Sequence, residues 1–202
     1  MVDGSLITLC LGALLIGLVV GVSGFGDALV GTAVWLHAFS PPETVALVLL
    51  SSLFVHAISL RKLRANFAWK RFGPFLLFGF LGVPIGIGLL GWIEPQAIKH
   101  AVGGLLVVLG LVFLFGGGAR LPSTGWGRRV LERLVAFGGG VLGGFAGLSG
   151  VLPTLYLSSS GINKATQRAI YQPFIFAMNA LAFVLLWFAV EIGDRVWWRF
   201  GI

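Results

Sequence analysis

Long apolar runs separated by short polar breaks organise this chain of 202 residues. The first run extends from about Leu6 to Phe39 and is interrupted at Gly21-Val22-Ser23-Gly24-Phe25-Gly26-Asp27. It is too long for one straight membrane helix, which needs about 20 apolar residues, so the pattern predicts a helix, a break and a shorter helix. Ser40-Pro41-Pro42-Glu43 then reads as the turn that starts a second span ending near Leu60. Proline suits a first helical turn, and a glutamate there complements the helix dipole. A third span covers about residues 72–92, with Pro74 at its start and Gly82, Pro84, Gly86 and Gly88 in its body. Such a span should be kinked or closely packed. Glu94-Pro95 turns into a fourth span, about residues 97–115, which the run Gly116 to Gly118 ends. A fifth stretch, about 130–157, repeats the first, with its break at Gly147-Leu148-Ser149-Gly150-Val151-Leu152-Pro153. The sixth span covers about 165–190, and the tail with Asp194, Arg195, Trp197, Trp198 and Arg199 reads as interfacial.

Composition agrees with a membrane protein: 57% of residues are hydrophobic and 10% charged, and the mean hydropathy is +0.99. A soluble globular domain carries about 25% charged residues. Lipid-exposed backbone must satisfy its own hydrogen bonds, which leaves helices or closed barrels. The runs 104–115 and 174–190 lack the strict alternation of a barrel strand. The expected fold is therefore an all-α polytopic membrane protein of about six transmembrane helices, forming one transmembrane domain over residues 1–202. Residues 5–117 make a first repeat of four spans and 130–202 a second, shortened repeat of two.

The formal net charge of +7 could point to nucleic acid, but the placement of the charges argues against it. Arg61, Lys62, Arg64, Lys70 and Arg71 cluster in one hydrophilic break, and Arg120, Arg128, Arg129 and Arg133 in another. Short basic loops beside membrane spans are the positive-inside signal. Two spans separate these loops, so both belong on the cytoplasmic side of the inner (plasma) membrane. Counting crossings from them puts both termini in the cytoplasm as well. The start of the chain has no basic signal-peptide region, and Cys10 comes too early for a lipoprotein signal, so no cleavage is expected. A single cysteine and three scattered histidines, His37, His56 and His100, form no metal-ligand pattern. No cofactor is expected.

Gly-x-Ser-Gly occurs at Gly21 to Gly24 and again at Gly147 to Gly150, each time between an apolar helix and a short apolar segment. Each copy is followed by a polar turn that starts a helix, at 40–44 and at 161–166. Repeats built on broken helices are typical of secondary transporters, whose substrate sites form where the breaks meet. With these breaks, the Pro41-Pro42-Glu43 turn, the basic loop after the second span and the repetition from Gly143 to Thr166, the chain resembles the TauE/SafE family of membrane permeases. The resemblance implies transport of small sulfur-containing or organic anions. The second repeat lacks counterparts of spans three and four, so either this is a reduced form or a second copy, in a homodimer, completes the fold.

A break leaves backbone N–H groups unpaired at the start of the next half-helix, and those donors attract an anion. Gly21, Ser23, Gly24 and Gly26 in the first break, and Gly147, Ser149 and Gly150 in the second, are the candidate substrate site, with the two serines adding hydroxyl donors. Alternatively these glycines only permit close packing, as Gly17-x-x-x-Gly21 and Gly139-x-x-x-Gly143 would. Asp27, an acid inside an apolar run, is either an ion-coupling group or the N-cap of the helix after the break. Arg168 is one turn from both Lys164 and Gln172, so a basic polar face could receive the anion, and Asn179 continues it along the sixth span. On the counted topology Lys164 and Arg168 fall on the outer side and break the positive-inside pattern. Ser51, Ser52 and His56 in the second span are minor candidates for the same cavity. Gly86-Ile87-Gly88-Leu89-Leu90-Gly91 fits a dinucleotide fingerprint by letters but ends a membrane span.

The functional expectation is a non-enzymatic secondary transporter of small anions, such as sulfite or organosulfonates, held between the two breaks and moved by alternating access. The alternative is a non-transporting membrane scaffold whose glycine-rich faces bind other helices.

Overall fold

The computed structural model describes residues 4–63, 69–115 and 125–189. Arg64, Arg120, the glycine run 116–118 and the tail from Asp194 to Arg199 lie outside them. The described residues form eight helices and no strand: α1 (Gly4–Ser23), α2 (Asp27–Trp35), α3 (Pro41–Leu63), α4 (Trp69–Trp92), α5 (Pro95–Phe115), α6 (Trp126–Ala146), α7 (Val151–Ser158) and α8 (Lys164–Ala189). Five of them, α1, α3, α4, α5 and α8, contain spans long and apolar enough to cross a membrane. α6 carries Arg128, Arg129, Glu132 and Arg133 at its start, yet it has 21 residues and lies parallel to α4. It is not among the five, although it runs alongside α4 in the same bundle. α2 and α7, with 9 and 8 residues, reach only about 12–14 Å at 1.5 Å per residue and cannot cross a core of about 30 Å.

Both breaks are re-entrant turns. Gly24 and Gly26 adopt φ +83° and +94°, which twist the chain back on itself. α2 then descends along α1. A side chain at Gly31 would meet Ile16, one at Gly12 would meet Trp35, and the Trp35 indole N–H donates to the Thr8 carbonyl at 3.2 Å. α7 returns along α6 in the same way. Gly143 lies against Ser149, Gly139 against Ser149 and Pro153, and the Tyr156 hydroxyl donates to Glu132 near the start of α6 at 3.1 Å.

These reversals change the topology expected from the pattern of spans. Because α2 brings Trp35 back to Thr8 and residues 36–40 continue in that direction, the turn at Ser40 shares a side with Gly4. α3 leaves that side, capped by Ser40, whose N–H and hydroxyl both donate to the Glu43 carboxylate at 2.9 and 2.8 Å. α8 starts at the end where α6 started, with the Asn163 side chain accepting the Thr166 N–H at 2.8 Å. Arg61, Lys62, Lys70, Arg71, Arg128, Arg129, Arg133, Lys164 and Arg168 therefore gather at one end of the bundle. Lys99 is the exception among the described cations. Gly4 and Ala189, the first and last described residues, lie at the end of the bundle opposite these cations.

The bundle is held at its centre by α4 against α6. Side chains at Gly82 and Gly86 would strike the backbone of α6 at Phe137 and Val141, and side chains at Gly140 and Gly144 would strike Gly79 and Val83. Backbones approach this closely only where both faces lack Cβ atoms. α4 is a single helix, and the sequence Gly86 to Gly91 lies wholly within it, with no strand-to-helix turn for a dinucleotide. α8 packs parallel to α4 through Phe75 on Phe174, ring centroids 5.2 Å apart. Leu14, Leu18, Val107, Val108 and Phe188 point outward, while Asp27, Ser52, His56, Ser149, Gln172 and Asn179 are buried. This polar interior is where a membrane protein keeps its functional groups.

Candidate functional site

α1 ends at the first break with carbonyls that no helical N–H can reach. Three side chains of α8 satisfy them: Arg168 Nη2 donates to Val22 O at 3.0 Å, the Tyr171 hydroxyl to Ser23 O at 3.2 Å and Gln172 Nε2 to Gly24 O at 3.2 Å. The spacing of three and four residues along α8 puts all three on one face. Tyr171 was not singled out from sequence, although its position beside the Arg168–Gln172 face was the available signal. A side chain at Gly24 would be strained at φ +83° and would push the Tyr171 hydroxyl, 2.7 Å from its Cβ, out of place.

Beside this clamp lies a cavity of about 460 Å³ between α1, α3 and α8, lined by Gly17, Val20, Gly21, Phe54, Val55, Ile58, Ser59, Arg168 and Gln172. Gly17 and Gly21 do not pack against another helix; a Cβ at either meets nothing within 4 Å. Their missing side chains are part of the cavity. Gly139 and Gly143, by contrast, do serve close packing, against the turn of their own hairpin. Arg168 is the one cation in the lining, and a guanidinium has five N–H donors, of which the bond to Val22 uses one.

A second cluster joins the two breaks through the protein interior. The Ser149 hydroxyl donates to Asn179 Oδ1 at 2.7 Å, and Asn179 Nδ2 donates to Ser52 Oγ at 2.7 Å. The Ser52 hydroxyl reaches the Asp27 carboxylate, whose Oδ2 lies 3.6 Å from His56 Nε2. The breaks also touch directly. Thr32 Oγ1 donates to Ala146 O at 3.4 Å, and Ala28 faces Gly147.

Several candidate residues occupy places other than those expected. The single Ser23 hydroxyl proton lies between two carbonyls, Val19 O at 2.7 Å and Phe25 O at 2.5 Å, so the side chain closes the end of α1 and its donor is already engaged. Ser149 spends its proton on Asn179. Asp27 is not the N-cap of α2; Gly26 holds that position without a side-chain bond, and Asp27 faces α3. Its carboxylate sits at the start of the half-helix, where an anion was expected, and would repel one. The cavity instead adjoins the carbonyl end of α1, with Arg168 supplying the positive charge. Gly26, Gly147 and Gly150 shape the turns and do not line the cavity. Lys164 is exposed in the first turn of α8 and Ser51 is half-buried on α3. No group of three or more metal-ligating side chains forms among the described residues.

The family description "Sulfite exporter TauE/SafE" matches residues 9–202. The chain belongs to the TauE/SafE sulfite exporter family. No match was found among curated proteins or solved structures. Membership makes this a multi-pass membrane protein of a transporter family, and it covers both breaks, the clamp on α8 and the buried cluster.

Proposed function

We propose that this TauE/SafE protein carries small anions, foremost sulfur oxyanions such as sulfite, through the cavity between α1, α3 and α8 by alternating access. The observation that carries the reading is Arg168, a single guanidinium at a cavity of about 460 Å³ whose glycine wall leaves room for a ligand. The size falls in the range of small-molecule sites, about 300–1,000 Å³, and admits an oxyanion with several waters. By the positive-inside rule the basic end faces the cytoplasm, so the cavity loads from that side and Gly4 and Ala189 face outward. The glycines at 82 and 86 of α4 and at 140 and 144 of α6 are used internally, which leaves those positions unavailable to a scaffold's partner.

Flux of ³⁵S-sulfite in proteoliposomes tests this. Arg168→Gln should lower it about tenfold or more, the equivalent of about 1.4 kcal/mol of lost anion stabilisation, and Arg168→Lys should restore part of it. Gly21→Leu should block it by filling the wall. Native flux in both Arg168→Gln and Gly21→Leu would remove the cavity from the pathway.

A further inference from the structure

Asp27 opens α2 and His56 lies on the buried face of α3. Their side chains are 5% and 0% exposed, and carboxylate Oδ2 and imidazole Nε2 stand 3.6 Å apart. That separation exceeds hydrogen-bond range. Neither this oxygen nor either ring nitrogen has another hydrogen-bond partner among the described residues. Buried polar groups normally find partners, so an acid and a base left facing each other across a short gap in a membrane interior call for an explanation. A proton provides one. With none bound, the pair is a buried carboxylate and a neutral imidazole of net charge −1. With one bound, on Nε2 or on Oδ2, it is neutral, and a few tenths of an ångström of approach gives a charge-assisted hydrogen bond.

We propose that Asp27 and His56 form one proton-binding unit that couples proton movement to the anion cavity, an inference that rests on the transport reading above. The first break connects the two. Asp27 follows directly after the turn whose carbonyls at Val22 and Gly24 are held by Arg168 and Gln172, and these same two side chains line the cavity. An anion in the cavity pulls the Arg168 and Gln172 side chains toward itself and away from those carbonyls. Its arrival therefore loosens the turn that positions Asp27 against His56. α3 presents both sites on adjacent faces, Ser52 and His56 inward, Val55 and Ser59 toward the cavity.

No other ionisable group lies within ion-pair distance of the unit among the described residues. α1 contributes only the exposed Cys10, and α5 contributes Lys99 and His100, neither of them buried. On α3, Glu43 and Arg61 lie at opposite ends. On α8, Arg168 and Tyr171 hold the break. On α6, Glu132 is engaged by Arg128 and by Tyr156.

The test uses the full chain in proteoliposomes with ³⁵S-sulfite, comparing accumulation under an imposed pH gradient with exchange at equal pH. One proton per anion lets one pH unit accumulate label about tenfold. Asp27→Asn should lose this accumulation while still exchanging label, and His56→Gln should displace its pH dependence. Infrared difference spectra between about pH 5 and pH 9 should show a protonated-carboxyl band that Asp27→Asn removes and His56→Gln shifts. Native accumulation in Asp27→Asn, accumulation that follows a sodium gradient, or the absence of an Asp27-dependent band would overturn the proposal. If the native protein moves no sulfite, the anion reading fails, and the infrared titration still decides the proton site.

Discussion

Asn179 is the residue through which the second break, α8 and α3 hold together, and Asn179→Leu removes that link with little change in volume. The amide accepts from Ser149 and donates to Ser52, both at 2.7 Å, and all three residues are 0% exposed. Leucine leaves the Ser149 proton without its acceptor and removes the donor to Ser52 Oγ, whose own proton still reaches Asp27. In soluble proteins each orphaned group costs about 1–3 kcal/mol. Between membrane helices the measured average is nearer 0.6 kcal/mol per bond with a maximum of about 1.7, because the unfolded chain also finds partners. Two bonds at those membrane values give a loss of about 1–3 kcal/mol, or about 2–10 °C in midpoint for a chain of this size. Equilibrium unfolding in mixed micelles measures it, and a double-mutant cycle with Ser149→Ala isolates the pair. Coupling of at least about 0.5 kcal/mol is expected. A variant as stable as the native protein, or strict additivity in the cycle, would refute the network.

Gly140→Leu should cost about 1–3 kcal/mol in the same assay, since its side chain would enter the backbone of α4 at Gly79. Gly88→Ala, on the open side of α4, should be neutral or slightly stabilising. For the re-entrant turns, single cysteines introduced into a Cys10→Ala background report sidedness to a membrane-impermeant thiol reagent. Arg129→Cys and Ser160→Cys should label from one side, and Ser5→Cys and Ser40→Cys from the other. Labelling of Ser160→Cys together with Ser40→Cys would mean that the breaks are kinks.

The helices and both breaks were legible because apolar runs, prolines at helix starts and the repeated Gly-x-Ser-Gly each act locally. The direction of the chain after a break was not, since the same glycines serve a kink and a reversal equally. A clue was nevertheless present: Lys164 and Arg168 contradicted the positive-inside rule on the straight-through path and satisfy it once the chain returns. The face shared by Arg168 and Gln172 followed from helical spacing, but its target, the carbonyls of Val22 and Gly24, lies 146 and 148 residues away. His56 looked like an isolated histidine because its partner is on another helix. Ser23 and Ser149 occupy matching letters of the repeat and do different work, one closing its own helix and the other bonding across to α8.

That difference between the breaks has a physical consequence. The second break satisfies itself through the backbone, with Gly147 N–H on Gly143 O at 2.9 Å and Leu148 N–H on Leu142 O at 3.1 Å. Opening it requires breaking main-chain bonds in a dry interior, where an unpaired group costs several kcal/mol. The first break has one such bond, Gly24 N–H on Val20 O at 2.8 Å, and its carbonyls at Val22, Ser23 and Gly24 are held by the ends of long side chains from α8, one of which carries a charge. An anion can exchange for a carbonyl at Arg168 without leaving the guanidinium unpaired, because the same donors serve both acceptors. On the proposed anion reading, the cost of moving the first break would therefore be lowest with an anion at Arg168, whereas the second break has no cation in its turn to receive one. A ligand can shift an equilibrium only by its differential affinity for the two states, and on the proposed anion reading that difference would reside at α1, α2 and the clamp on α8. The hairpin of α6 and α7, fixed to α4 through paired glycines, is the frame against which they would move.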